Sequence, residues 1–237
     1  EVRRELCEML KKPLGTHVEI EFAGVMPRRP DEKARFSLLQ VRPLNVAAGD
    51  VMPQDLPSDR SKIIYYSDES LGNGRLDGIR DVLLVDPDSW DHLQTEKIRW
   101  EIAAFNQLMK EQNRPYVLIG PGRWGSRDRF LGVPVQWPEI SMARVLVELA
   151  IEQYDIDASQ GSHFLHNIIA MNVGYAHIGL KGKSFFSVEA LSVPGAFTER
   201  TGELGDSPRY IRHFQSAEDL GVALAGKSGE SIVYLPG

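Results

Sequence analysis

Near the start of the chain, apolar and polar positions alternate in two segments, and this alternation predicts two β-strands. Residues 18–22 and residues 36–43 have the period of two that places successive side chains on opposite faces of a sheet. The polar residues 28–32 between them indicate a turn. We therefore predict a β-hairpin, whose apolar face consists of Val18, Ile20, Phe22, Leu39 and Val41.

The opposite face of this predicted hairpin is polar. If its turn is centred near residues 30 and 31, Glu21 lies opposite Gln40 and Glu19 lies opposite Arg42. Carboxylate and amide oxygens coordinate Mg²⁺ in sites where the metal also holds substrate phosphates, and a neighbouring arginine binds a phosphate oxygen. A solvated sheet face with an ion pair between Glu19 and Arg42 is the alternative that this spacing leaves open.

The middle of the chain has a helical stripe between two strands. Residues 81–86, whose inner four residues are apolar, and residues 116–119 are segments of strand length, whereas apolar positions in between recur every three or four residues. These positions are Ile98, Ile102, Phe105, Leu108 and Met109. A strand, a helix and a strand predict a parallel crossover. Residues 120–126 then follow the carboxyl end of a sheet strand, where α/β folds bind ligands.

Further along, the pattern predicts one more helix and several short strands. Residues 139–154 have helical spacing at Ile140, Ala143, Val147, Ala150 and Ile151. Residues 173–179 and 183–189 are extended segments on either side of Lys181 and Gly182, and they predict a second hairpin. Short strands are also predicted at residues 62–66, 210–214, 221–225 and 231–235.

These elements predict a mixed α/β fold, with a central mixed sheet flanked by helices. An N-terminal helix and the hairpin occupy residues 1–45, residues 46–60 form a linker, and residues 61–237 form a second domain. The chain begins within the helical pattern and has no initiator methionine, so we expect it to be part of a longer protein.

Residues 120–126 of the second domain are a candidate anion site. Gly120, Gly122 and Gly125 allow a ligand to approach backbone N–H groups, and Arg123 adds a positively charged fork before Ser126 closes the segment. The alternative is a tight structural loop in which Arg123 caps carbonyl groups or pairs with an acid. The spacing differs from that of a Walker phosphate loop.

Composition narrows the class of function. The net charge of -6 disfavours nucleic-acid binding, because contacts to phosphates need clustered Lys and Arg. No apolar run has the length of a membrane span, so no membrane partner is expected. The single cysteine, Cys7, cannot form an internal disulfide and fits a reducing, cytoplasmic location. His163 and His166 have no third ligand at suitable spacing, which favours structural histidines over a metal site.

The segments VEIEF (residues 18–22) and LLQVRP (residues 38–43) resemble the closing hairpin of the ATP-grasp domain in the phosphoenolpyruvate synthase and pyruvate phosphate dikinase family. By this resemblance, Glu21 and Gln40 hold the magnesium of ATP, Arg42 lies near the phosphates, and Glu19 occupies a position where the family often has Asp. The resemblance implies an ATP-dependent phosphotransferase that acts with the other ATP-grasp segments on a small-molecule phosphoryl acceptor such as pyruvate. It also implies that this part of the protein is inactive alone.

The second domain resembles another region of related proteins. Residues 120–126 (GPGRWGS), 131–135 (LGVPV) and 159–164 (SQGSHF) are similar to the carboxyl-terminal region of bacterial phosphoenolpyruvate-synthase-like proteins. That region follows the ATP-grasp segment directly and does not have the usual phosphohistidine and barrel domains. The resemblance brings no known chemistry with it. A non-catalytic module that binds an anion or a partner through residues 120–126, with Arg123 as its anchor, is therefore the alternative hypothesis, and a purely architectural domain is the third.

Overall fold

The computed structural model describes residues 5–6, 8–10, 17–25, 29, 34–44, 57, 59–150, 171–205 and 210–236. Strands predominate in these residues and one long helix accompanies them, which confirms the mixed α/β class predicted from the sequence. The chain divides into two compact units, Glu1–Ala48 and Gly49–Gly237, and the division falls within the predicted linker.

The first unit contains the predicted hairpin. Strands β1 (His17–Val25) and β2 (Arg35–Leu44) pair antiparallel. In the observed register Glu21 pairs with Gln40 and Glu19 pairs with Arg42, which confirms the predicted register.

A β-bulge follows this matched part of the hairpin. The register shifts between Glu21 and Phe22, so that Phe22 pairs with Leu38 and Leu39 becomes the extra residue of β2. Beyond the bulge, the rings of Phe22 and Phe36 stack with their centroids 4.5 Å apart. The bulge therefore separates a polar end of the hairpin from an aromatic end.

The described part of the second unit contains fourteen strands and one α-helix. The strands are β3 (Ile63–Ser67), β4 (Glu69–Leu71), β5 (Gly74–Arg75), β6 (Asp81–Val85), β7 (Tyr116–Pro121), β8 (Arg123–Trp124), β9 (Gly132–Val133), β10 (Ala143–Leu149), β11 (Gly174–Ile178), β12 (Phe185–Phe186), β13 (Phe197–Arg200), β14 (Ile211–Ser216), β15 (Gly221–Ala225) and β16 (Glu230–Tyr234). The helix is α1 (Thr95–Glu111).

Two sheets account for most of these strands. The larger sheet has seven strands in the order β13–β14–β6–β7–β10–β11–β4. Its central strands β6, β7, β10 and β11 are parallel, and the flanking strands pair antiparallel. The smaller sheet has five antiparallel strands in the order β12–β3–β16–β15–β5. The parallel strands β7, β10 and β11 therefore end at one side of the larger sheet, which we call the carboxyl edge.

The larger sheet is buried on both faces. In β6, Val82 and Leu84 pack with residues of the smaller sheet, whereas Leu83 and Val85 pack with α1. Such a strand has apolar residues at consecutive positions, because neither of its faces meets water. This explains why residues 82–85 form a continuous apolar run rather than an alternating one.

Helix α1 is the predicted crossover between β6 and β7, which pair in parallel. Its buried residues Ile98, Ile102, Phe105 and Met109 recur at helical spacing, and they pack on the larger sheet. Asn113, with a φ of 51°, lies in the left-handed region directly after the helix. Within the described residues, no helical segment combines the length and the apolarity that a membrane crossing needs.

The helix predicted at residues 139–154 is wrong in the part that the structure describes. Strand β10 lies between β7 and β11, with Val145 and Val147 towards the smaller sheet and Leu146 towards α1. A strand that is buried on both faces carries apolar residues at every spacing, including that of a helix. The β-branched valines were the signal that favoured a strand.

The hairpin predicted across Lys181 and Gly182 is also wrong. Strand β11 lies in the larger sheet beside β10, whereas β12 pairs with β3 in the smaller sheet. The intervening turn therefore carries the chain from one sheet to the other. The strands predicted at residues 62–66, 81–86, 210–214, 221–225 and 231–235 are confirmed as β3, β6, β14, β15 and β16.

Candidate functional site

Strands β1 and β2 bring together the two residues predicted to hold magnesium. Glu21 and Gln40 are cross-strand partners, and both are exposed. Directly opposed residues have Cβ atoms about 4.5–5.5 Å apart, so a carboxylate oxygen and an amide oxygen can reach one cation. Glu19 and Arg42 are partners in the same register, but their side chains lie outside the part of the chain that the structure describes.

The backbone of the glycine-rich segment after β7 is hydrogen-bonded to other residues of the second unit. Four successive amide N–H groups, those of residues 122–125, donate hydrogen bonds within the second unit. Their acceptors, in order, are the carbonyl oxygens of Leu149 and Leu131, the carboxylate of Glu148 and the carbonyl oxygen of Val133, at 2.9, 2.6, 2.9 and 2.8 Å. The N–H groups of Gly122 and Gly125, two of the three glycines predicted to expose their amides to a ligand, therefore donate within the protein. Ser126 Oγ accepts a hydrogen bond from the N–H of Asp128 at 3.2 Å.

The glycines of this segment allow close packing. A Cβ atom at Gly120 would lie 2.8 Å from Trp124 Cη2 and 2.9 Å from Val85 Cβ, closer than side chains tolerate. At Gly122, where φ is 71°, it would lie 2.5 Å from the carbonyl oxygen of Leu131. At these two positions the packing of the loop itself requires glycine, and the predicted anion site stays a prediction.

A buried glutamate joins this loop to the carboxyl edge. Glu148 on β10 is 2% exposed. Its carboxylate accepts hydrogen bonds from the N–H of Trp124 at 2.9 Å and from the hydroxyl of Tyr175 at 2.7 Å. The indole N–H of Trp124 donates to the carbonyl oxygen of Val147 at 3.1 Å. Charge-assisted hydrogen bonds of this kind hold the loop and two parallel strands in one arrangement.

Beside Glu148, at the same register position, β11 carries a histidine. His177 pairs with Glu148 on one side and with Glu69 of β4 on the other. Its Nδ1 lies 2.8 Å from Glu69 Oε2, whereas its Nε2 is buried and has no hydrogen-bond partner among the described residues. Sequence reasoning missed both residues, and the available signal was a histidine within an otherwise apolar strand.

The opposite, amino edge of the larger sheet has a second ionic cluster. Asp81 begins β6 and is 1% exposed, and Oδ1 of its carboxylate lies 2.8 Å from Nε2 of His213. Nδ1 of His213 contacts the carboxylate of Glu203, and the guanidinium of Arg114 donates to Asp81. Both ring nitrogens of this histidine are therefore occupied. Sequence reasoning also missed this cluster.

No group of three or more His, Cys, Asp and Glu side chains in the described residues has the geometry of a metal site. His163 and His166 lie outside the described residues, so their predicted structural role stays a prediction. No protein-family model, curated protein or solved structure matches this chain. The resemblance to phosphoenolpyruvate synthase therefore stays a prediction based on the two hairpin segments and the glycine-rich loop.

Proposed function

We propose that the hairpin contributes two magnesium ligands, Glu21 and Gln40, to the Mg-ATP site of an ATP-dependent phosphotransferase that resembles phosphoenolpyruvate synthase. The observation that supports this proposal is the register, which sets the exposed carboxylate of Glu21 directly opposite the exposed amide of Gln40. Arg42, which pairs with Glu19 two residues along, is assigned to a phosphate oxygen by the resemblance.

The donor set fits magnesium. This cation prefers oxygen ligands and usually takes one or two from the protein, while substrate phosphates and water supply the others. One carboxylate and one amide oxygen on neighbouring strands meet that requirement. When bound there, the metal neutralises the negative charge that develops as a phosphoryl group leaves ATP.

In this proposal, the residues of the hairpin position the metal-bound phosphates of ATP. Glu21 and Gln40 fix where the metal-bound phosphates lie, and the paired strands hold both side chains at a constant separation. By the resemblance, the remaining ATP-grasp segments complete the nucleotide site, and a small molecule such as pyruvate accepts the phosphoryl group.

The test is a steady-state comparison in a protein that contains these residues together with the remaining ATP-grasp segments. Replacing Glu21→Ala removes the only charged metal ligand of the pair, so kcat/KM for Mg-ATP is expected to fall about a hundredfold or more. Gln40→Ala removes a neutral ligand and should cost about tenfold, with partial recovery at high magnesium concentration.

The matched control is Ser37→Ala, an exposed residue of the same hairpin beyond the bulge, which should leave turnover unchanged. Undiminished activity in the Glu21→Ala protein would refute the proposal. Tight binding of Mg-ATP by these 237 residues alone would also contradict it, because only part of the nucleotide site is then present.

A further inference from the structure

His177 has an incomplete set of hydrogen bonds. Its Nδ1 contacts Glu69, but its Nε2 has no partner among the described residues. The side chain is only 9% exposed, so bulk water does not replace that partner freely. A buried polar atom without a partner is destabilising, and native proteins retain few such atoms. The position of His177 at the carboxyl edge, where parallel sheets bind ligands, suggests that a ligand supplies the missing partner.

The contact with Glu69 decides which nitrogen carries the proton. A carboxylate accepts hydrogen bonds, so in the contact between Glu69 and Nδ1 of His177 the ring nitrogen is the donor. In that tautomer the proton lies on Nδ1, and Nε2 is the acceptor of the ring.

The nearby carboxylates do not supply the missing donor. Glu148 accepts hydrogen bonds from Trp124 and Tyr175, and so its oxygens have donors of their own. Glu69 occupies the Nδ1 side of the ring, away from Nε2. An acceptor at this position needs an O–H or N–H group from outside the described residues.

Two arginines lie in the loop that continues from the carboxyl end of β7. Arg127 and Arg129 are exposed on the loop between β8 and β9, which follows the carboxyl end of β7. In the described part of the chain neither arginine forms an ion pair with an acidic side chain. One strand, β10, separates β7 from β11, which sets these two strands about 10 Å apart.

We propose that the carboxyl edge binds a protonated oxyanion, such as hydrogenphosphate or a singly protonated phosphate monoester. Its O–H donates to Nε2 of His177, and Arg127 and Arg129 offset its negative charge. Glu69 is a positioning residue, since it acts by fixing the tautomer and orientation of the imidazole. This site belongs to the second unit and does not depend on the proposed magnesium ligands of the hairpin.

Three probes distinguish the two interactions in this proposal, the O–H donor to Nε2 and the negative charge. Inorganic phosphate carries a negative charge and an O–H group at neutral pH. Sulfate has nearly the same shape and no O–H, and glycerol has O–H groups and no charge. Each is titrated into the whole chain labelled with ¹⁵N-histidine, and the Nε2 resonance of His177 reports occupancy. Phosphate is expected to bind about tenfold or more tightly than either sulfate or glycerol, because each alternative lacks one of the two interactions.

Variants assign the effect to residues. In His177→Phe the preference for phosphate over sulfate should disappear. Glu69→Gln should give a mixture of imidazole tautomers in the ¹⁵N spectrum and weaken phosphate binding about tenfold, a signature that a merely structural role does not produce. Arg127→Gln combined with Arg129→Gln should weaken phosphate and sulfate alike. The matched control is Arg75→Gln, an exposed arginine on β5, which should change neither.

Several outcomes would overturn the proposal. These are equal affinity for phosphate and sulfate, equal affinity for phosphate and glycerol, no response of His177 to any probe in the folded protein, or a proton found on Nε2 rather than Nδ1. Unchanged selectivity in a folded His177→Phe protein would do the same. A Glu21→Ala variant should leave the phosphate response of His177 intact, which keeps this test separate from that of the hairpin.

Discussion

The two edges of the larger sheet each carry a buried histidine bound to a carboxylate, and they differ in one respect. At the amino edge, His213 has Glu203 on Nδ1 and Asp81 on Nε2. At the carboxyl edge, His177 has Glu69 on Nδ1 and no partner for Nε2 among the described residues. Both ring nitrogens of His213 are therefore hydrogen-bonded within the fold, whereas Nε2 of His177 has no described partner.

This difference separates stability from function. A complete buried network stabilises the native state because removing any member leaves its partners buried without compensation. A buried network in which one polar atom has no partner contributes little to stability. The presence of such a network in a protein needs another reason, such as ligand binding. The comparison therefore makes opposite predictions for the same substitution at the two histidines.

The largest expected effect comes from His213→Phe. The substitution leaves the carboxylates of Asp81 and Glu203, which are 1% and 12% exposed, without the ring between them. We expect a loss of about 3–5 kcal/mol in the free energy of unfolding, because the substitution breaks two buried ionic contacts and leaves Asp81 with Arg114 as its remaining partner. Urea denaturation followed by circular dichroism measures this loss.

His177→Phe is the matched counterpart in the same experiment. Here the carboxylate that loses its partner, that of Glu69, has a side chain that is 55% exposed to water. The Nε2 atom that the substitution removes had no partner among the described residues. A change within about 1 kcal/mol is expected. If the two variants lose similar stability, both histidines are structural and the distinction between the edges fails.

An intermediate effect is expected at Gly120, which tests how tightly the rest of the carboxyl edge is packed. In Gly120→Ala the new methyl group meets Trp124 and Val85 at 2.8 and 2.9 Å, and the indole must move. Overpacking of this kind costs about 1–3 kcal/mol. Displacement of the indole should also change the tryptophan fluorescence of the folded protein.

Gly179→Ala is the control for this substitution. It also adds a methyl group near the carboxyl edge, but the nearest atom, the carbonyl oxygen of Lys181, lies at an ordinary contact distance of 3.4 Å. Equal urea midpoints for the two alanine variants would mean that the loop yields easily around Trp124. The edge would then be loosely packed, contrary to the contacts described above.

Sequence reasoning succeeded where the interactions are local. The hairpin register followed from a period of two and one turn, and α1 followed from a stripe of apolar residues between two strands. The polar pairing of Glu21 with Gln40 was therefore predicted correctly. Its failure at β10 has a physical cause, because burial on both faces removes the alternation that identifies a strand.

The polar clusters could not be predicted because topology creates them. Glu69 and His177 are 108 residues apart in the chain, and Asp81 and His213 are 132 apart. Only the order of strands in the larger sheet makes each pair neighbours. The same holds for the amides of residues 122–125, whose acceptors come from β10, from Leu131 and from strand β9.

The smallest expected change in stability concerns a third ionic contact, the ion pair between Arg99 and Glu139. Like the contacts of His213, it has hydrogen-bond partners within the fold. Glu139 lies before β10 and accepts hydrogen bonds from the guanidinium of Arg99 at 2.9 Å and from the N–H of Gln136 at 2.7 Å. Burial raises the pKa of Glu139, but the hydrogen bonds from Arg99 and Gln136 outweigh it and hold the pKa below its usual range. Both side chains of the ion pair are less than a fifth exposed, at 18% and 16%.

The sign of the pH dependence follows from that lowered pKa. The ion pair contributes fully above the pKa that Glu139 has in the unfolded chain, and its contribution is lost as the pH falls through the lower folded-state value. Glu139→Gln should therefore cost about 1 kcal/mol at pH 7 and less at pH 3. Urea denaturation at both pH values measures this, with Glu96→Gln as the control, because Glu96 contacts the same arginine at 3.4 Å but is 64% exposed. A cost that stays constant from pH 7 to pH 3 would show that Glu139 acts through packing, and complete ionic contacts would then lose their assigned role in stability.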